Sequence, residues 1–215
     1  MTPKSTERLT IDGPAGALEV VLNQPDLPKG ALRGIALVCH PHPLQGGTLD
    51  NKVAQTLAKT FFALGYASVR LNFRGVGESA GAFAEGVGET EDVIAVLAWA
   101  KQRLGDALPV VLAGFSFGAY VQTRVAQSVA FERMVLVGPA VGRFPLATVP
   151  EETIVIHGEE DDVVPLAKVF EWARPQALPV IVFPGCGHFF HGRLVHLQKT
   201  IAGMWRGASP PSDGA

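Results

Sequence analysis

An open α/β sheet, mostly parallel with helices on both faces, is the fold class this sequence predicts. Strand-like and helix-like stretches alternate from residue 34 to residue 205, the order that builds parallel strands through helical crossovers. The later strand candidates, VVLAGF and MVLV among them, are apolar at successive positions, as strands covered on both faces must be. Glycine (24) and proline (16) fall between the apolar runs and not in one tract, which marks tight turns rather than disorder. No internal repeat is visible. In such a sheet the functional loops belong at the carboxyl ends of the strands.

The elements follow in order. Leu18–Asn23 and Gly34–His40 are strands, the second apolar enough for a sheet interior. TLDNKVAQTLAKTFFALG is a helix: Val53, Leu57, Thr60, Phe61 and Leu64 share one stripe, and Gly65 is its stop. Tyr66–Phe73 is a strand leading into the glycine-rich loop RGVGESAGAFAEGVG. A helix over Glu89–Leu104 turns Val93, Val96, Leu97 and Ala100 inward. Pro109–Phe115 is a strand, Phe117–Val129 a helix and Arg133–Gly138 a strand. ETIVIHG is a strand, PLAKVFEWA a helix, LPVIVFPG a strand and Phe189–Trp205 the last helix.

A chain of 215 residues suits one domain spanning 1–215, with a core over about 18–205 and a frayed tail at 207–215. With 18% charged residues and a formal net charge of −2, it carries no field to attract nucleic acid or an anionic membrane. MTPKSTERLTIDGP has no apolar run of the signal-peptide kind. No run of 18 apolar residues exists, so no membrane span is expected. Two cysteines, Cys39 and Cys186, make no disulfide framework. The composition fits a reduced cytoplasmic protein, monomeric or homodimeric.

Chemistry concentrates where VVLAGFSFGAY places Ser116 between two phenylalanines and two glycines. A buried hydroxyl without a partner costs on the order of a few kcal/mol, so Ser116 is either a satisfied core group or held there to react. Gly114-Phe115-Ser116-Phe117-Gly118 lies between strand and helix. A turn this sharp strains the serine backbone, and the flanking glycines let strand and helix approach without Cβ clashes. The hydroxyl then projects above the sheet, and the N–H of Phe117 points toward the same space. Serine is a poor nucleophile without a base, and the base needs an orienting carboxylate. Downstream, VIHGEEDDVVP follows one strand with four acids, and VFPGCGHFF follows another with His188. All three groups converge on one sheet edge.

In order and context, G-x-S-x-G, H-G-x-x-D-x-x-V-P and G-x-G-H resemble the α/β-hydrolases, from about Leu18 to Trp205. More narrowly, CHPHPLQGGTLDNKV and NFRGVGESAGAF are similar to small, lidless bacterial serine hydrolases of the dienelactone-hydrolase and esterase kind. The resemblance implies Ser116 as nucleophile, His188 as base and Asp161 as acid, with adjacent Asp162 as the alternative. Glu159 and Glu160 are then rim charges. It also implies an oxyanion hole built from the N–H of Phe117 and one from His40-Pro41-His42-Pro43-Leu44. Proline has no N–H, which leaves His42 or Leu44. The usual His-Gly start of this loop aligns with His40-Pro41 and favours His42.

Competing readings are weaker. His40, His42 and His188 lack a suitably spaced carboxylate for a metal site, so no metal and no cofactor is expected. His40 is read as a structural residue pinning its loop. His191 and His196 are bland residues of the last helix. The loop around Arg74 lacks G-x-G-x-x-G spacing and a P-loop lysine, so Arg74 is read as a structural ion-pair partner. Cys186 sits on the histidine's loop rather than at the elbow, as a small buried side chain. Haloalkane dehalogenases and epoxide hydrolases of this fold need aspartate where Ser116 stands.

The lid of this fold falls between the strands ending at Gly138 and starting at Thr153. Here that connection, Pro139 to Glu152, is 14 residues, too short for a helical cap. An open cleft walled by Leu44, Phe115, Phe117, Phe144 and Phe189 or Phe190 is expected. The function implied is hydrolysis of small or extended acyl esters or thioesters. The alternatives are an amidase or peptidase, or a binding protein on an inactive hydrolase fold.

Overall fold

The computed structural model describes residues 3–28 and 30–207. The tail expected to fray lies outside the described residues apart from Gly207. The chain enters through β1 (Pro3–Gly13) and β2 (Gly16–Pro25), an antiparallel hairpin. There follow β3 (Ile35–Cys39), α1 (Lys52–Ala63), β4 (Ala67–Leu71), α2 (Val87–Leu104), β5 (Val110–Phe115) and α3 (Phe117–Val125). The last part is β6 (Arg133–Val137), β7 (Ile154–Gly158), α4 (Leu166–Ala173), β8 (Val180–Phe183) and α5 (Leu194–Gly207).

Eight strands form one sheet in the order β1-β2-β4-β3-β5-β6-β7-β8. β4, β3, β5, β6, β7 and β8 run parallel, and the β1–β2 hairpin joins β4 antiparallel. Successive residues point to opposite faces of a strand, and both sets are apolar here. Leu112, Met134 and Leu136 pack with residues of α2 and α3, while Val111, Ala113, Val135 and Val137 pack with residues of α1 and α5. Cys39 belongs to the first cluster and Cys186 to the second. The sheet separates them, and both thiols are free.

β1 escaped the sequence reading. It is an edge strand whose residues 6–10 alternate between exposed and half-buried, so little hydrophobic pattern announces it; among its described side chains, Leu9 and Ile11 join the core. The last helix starts at Leu194, not Phe189. Phe190 (φ 53°) and Gly192 (φ 70°) are left-handed, and a right-handed helix cannot run through them. α3 stops at Val125, not Val129, because i→i+3 bonds from Gln127 to Arg124 and from Ser128 to Val125 close its end. Residues 139–153, between the paired strands β6 and β7, contain no helix. The fold carries no lid insertion. No helix among the described residues is long and apolar enough to cross a membrane.

Candidate active site

β5 ends at Phe115, α3 begins at Phe117, and Ser116 alone makes the turn. Its φ of 56° and ψ of −116° are costly for a residue with a Cβ, about 1–3 kcal/mol. Two glycines permit that geometry. A Cβ on Gly114 would stand 2.4 Å from the Gly118 carbonyl oxygen, and one on Gly118 would stand 2.4 Å from that of Cys39. Strand, helix and the end of β3 are therefore in backbone contact at the elbow. Gln122, one turn into α3, fastens them, its side-chain amide donating to the carbonyls of Leu37 and Ala113 at 3.1 Å each.

His188 reaches the serine from the loop after β8, its Nε2 lying 3.0 Å from Ser116 Oγ. On the other side of the ring, Nδ1 lies 2.6 Å from Asp161 Oδ2. The loops carrying acid and base are laced together: Glu159 N–H donates to Phe183 O and Glu160 N–H to Cys186 O, both at 3.0 Å. Asp161 is buried, whereas Asp162 is exposed. The acid is Asp161, and the alternative Asp162 points to solvent.

Four groups surround the Asp161 carboxylate. Oδ1 accepts from the N–H of Val163 (2.9 Å) and of Val164 (2.7 Å). Oδ2 takes the His188 contact and lies 3.3 Å from His157 Nε2. Burial works to raise this carboxyl's pKa, but the hydrogen bonds from His188 and Val164 and the two imidazoles outweigh it and hold it below the usual carboxylate range.

His157 was not singled out in the sequence, although it opens the H-G-x-x-D stretch. It is wholly buried, and its Nε2 lies 2.8 Å from Val164 O. A carbonyl only accepts, so Nε2 carries the proton. Burial, chiefly, holds the ring's pKa down. His157 therefore presents a fixed N–H to the segment whose amides grip Asp161, and acts as a positioning residue. His157→Phe should lower kcat about tenfold with little change in KM, about 1.4 kcal/mol of transition-state stabilisation. His157→Gln, which returns an N–H donor, should recover most of it. Full kcat in the phenylalanine variant would remove the positioning role.

On the other side of Ser116, the loop after β3 is held by His40. Its Nε2 accepts the Phe73 N–H at 3.1 Å, so Nδ1 bears the proton and donates to Pro41 O at 2.6 Å. Burial pushes its pKa down to about 4. With both ring nitrogens engaged inside the protein, His40 ties the loop to the segment after β4. The His42 ring accepts the Leu44 N–H at 3.2 Å. The N–H groups of His42 and Phe117 have no acceptor among the described residues.

The expected walls divide. Leu44 is 72% and Phe189 44% exposed, and Phe144 is half-buried. Phe115 and Phe117 are wholly buried, so they back the site without lining it: Phe115 lies 4.9 Å from the His188 ring and Phe117 5.2 Å from that of His42. Phe190 is no wall either. Its left-handed backbone turns it into the core, where it meets Phe183 at 5.5 Å. Phe144 stacks on Tyr120 (4.9 Å, 17°) and meets Phe117 at 5.0 Å. Phe83 was missed. It follows the last glycine of NFRGVGESAGAF and lies 4.9 Å from the His42 ring, as an aromatic in a run of small residues could have suggested.

Arg74 donates Nη2 and Nε to the wholly buried Asp92 carboxylate, at 2.8 and 3.0 Å. Cys186 is buried, and burial raises its thiol pKa, opposite to what a nucleophilic thiolate needs. His196 lies in α5, but His191 falls in the turn before it, stacked 5.9 Å from Phe189.

This arrangement is that of a working serine hydrolase: nucleophile, base and acid within hydrogen-bond reach. A family model described as X-Pro dipeptidyl-peptidase (S15 family) matches residues 17–143. An uncharacterized protein of Rickettsia prowazekii is 30% identical over 208 residues, 90% of this chain and 86% of its own. The chain resembles a lidless α/β serine hydrolase from Xanthomonas campestris, at 34% identity and a TM-score of 0.89 over 98% of this chain and 99% of that one. It also resembles an α/β serine hydrolase homologue from Coxiella burnetii, at 38% identity and a TM-score of 0.81 over 94% and 97%.

Proposed function

The chain belongs to the S15 family within the α/β-hydrolases, and on that premise we propose that it cleaves carboxylic esters or thioesters of small, soluble acyl groups. The relay from Ser116 Oγ through His188 to Asp161, at 3.0 and 2.6 Å, carries this reading. Ser116 Oγ attacks the acyl carbon while His188 Nε2 takes its proton. The same nitrogen returns the proton to the departing alkoxide or thiolate, leaving an acyl-enzyme. Water, deprotonated by His188, then releases the acid.

The oxyanion of each tetrahedral intermediate is assigned to the N–H groups of Phe117 and His42. In support, neither N–H has an acceptor among the described residues, whereas the Leu44 N–H is already taken by the His42 ring. Acyl groups are assigned to the surface formed by Leu44, Phe83 and Phe144 on one side and Phe189 on the other. The two free thiols favour a cytoplasmic protein.

p-Nitrophenyl esters of graded length, acyl thioesters and an Xaa-Pro p-nitroanilide, assayed side by side, test the proposal. Turnover of ester or thioester that disappears in Ser116→Ala is the expected result. Cleavage of the anilide alone would transfer the activity to peptides, the substrate in the family's description. With no lid, rate should rise smoothly with substrate and show no jump at its solubility limit. Phe144→Ala should change the ratio of kcat/KM for short and medium acyl chains about tenfold, the effect of one or two methylenes. An unchanged ratio would remove Phe144 from the acyl site.

A further inference from the structure

A cavity of about 360 Å³ lies away from the triad, where α1 leans over the β1–β2–β4 edge of the sheet. We propose that it binds a small metabolite with a terminal oxyanion, phosphate monoester or carboxylate, on an apolar stem.

Its floor is Ser68 and Arg70 on β4, alternate residues on one face, about 6.6 Å apart along the strand. Both residues are at least nine-tenths buried, and Ser68 Oγ and Arg70 Nε have no partner among the described residues. Arg70 Nη1 is anchored, donating to Leu49 O at 2.6 Å and to Asp50 Oδ1 at 3.3 Å. An unmade hydrogen bond on a buried charge is among the costlier defects a fold can carry, and an oxyanion held over this floor would be the acceptor both groups lack.

Charge selects an anion. Lys59 and Arg70 are the charged residues lining the cavity, and no carboxylate joins them. Asp50 does not line it; its carboxylate is shared between Arg8 at 2.6 Å and Arg70 at 3.3 Å. Lys59 is exposed and has no acidic partner among the described residues; it projects from α1 near Ala58 and Phe62, which make the wall apolar. The volume is in the range of small-molecule sites, roughly 300–1,000 Å³, and exceeds what an inorganic ion fills. The site is separate from catalysis: β3 stands between β4 and β5, and Ser68 lies near the start of β4, away from the carboxyl edge that holds Ser116.

Calorimetric titration of the full chain with inorganic phosphate, phenyl phosphate and benzoate, in a buffer free of other oxyanions, tests this. We expect saturable one-to-one binding of phenyl phosphate or benzoate, whichever oxyanion the site prefers, about tenfold tighter than inorganic phosphate through contact with Phe62. Ser68→Ala and Lys59→Ala should each weaken it about fivefold or more. Lys59→Ala alters only an exposed side chain, so it reports on binding even if Ser68→Ala melts early. Absence of saturable binding in the millimolar range, or affinities unchanged in both variants, would overturn the proposal. Neither outcome bears on the esterase reading, which rests on other residues.

Discussion

Ser116→Ala and His188→Ala should each reduce kcat on a p-nitrophenyl ester by about 10⁵–10⁶-fold, because nucleophile and base act as one unit. Without Oγ no acyl-enzyme forms. Without Nε2 the hydroxyl 3.0 Å away keeps its proton, and the leaving group receives none. The two losses should not add in the double variant, which should be about as slow as either single one. Residual hydrolysis through binding and oxyanion contacts alone is expected at about 10³-fold over water. Steady-state turnover on protein freed of host esterases, with labelling by a fluorophosphonate probe to count active sites, measures all of this. A single variant keeping more than about a tenth of wild-type kcat would refute the triad.

Asp161→Asn should cost about 10⁴-fold in kcat while the protein stays folded. The amide preserves shape and its oxygen can still accept the Val163 and Val164 N–H groups, but it cannot hold the His188 tautomer with its proton on Nδ1 or stabilise the imidazolium. Asp162→Asn should change kcat by less than about twofold, since that side chain is exposed. A larger loss in the second variant would reverse the assignment. The pH profile adds a check. The Asp161 carboxyl titrates below the usual range, so it stays charged from neutrality down through ordinary carboxylate pKa values. Its contribution to stability, the interactions made only by the charged form, is full above its unfolded-state pKa and is lost only as pH falls through the lower folded value. An acid limb of kcat/KM at higher pH therefore belongs to another group, and acid unfolding should begin earlier in Asp161→Asn.

Most of the site is legible in the sequence, for local reasons. G-F-S-F-G states its own geometry: a left-handed serine and two backbones in contact at Gly114 and Gly118 admit few other residues there. The alternation of apolar runs set the strand ends, and in a parallel sheet strand ends share an edge, which brings positions 116, 161 and 188 together. What stayed hidden depends on partners distant in sequence. β1 has no hydrophobic period because half of an edge strand meets solvent. Phe189 and Phe190 are indistinguishable as letters; one left-handed residue sends the second into the core and leaves the first beside His188.

By itself the sequence determined the sheet class, the elbow, the order of nucleophile, acid and base, and the lack of room for a lid. Each follows from spacing along one chain, where sterics and hydrophobic period act between near neighbours. Tertiary structure alone decided which of two adjacent aspartates turns inward, which loop N–H groups are left free, which phenylalanines keep a surface, and that His157 braces the Asp161 segment. It alone joined Ser68 and Arg70 of β4 with Lys59 of α1 around one cavity. These are matters of burial and of hydrogen bonds between segments far apart in the chain, and neither quantity exists until the sheet has brought those segments together.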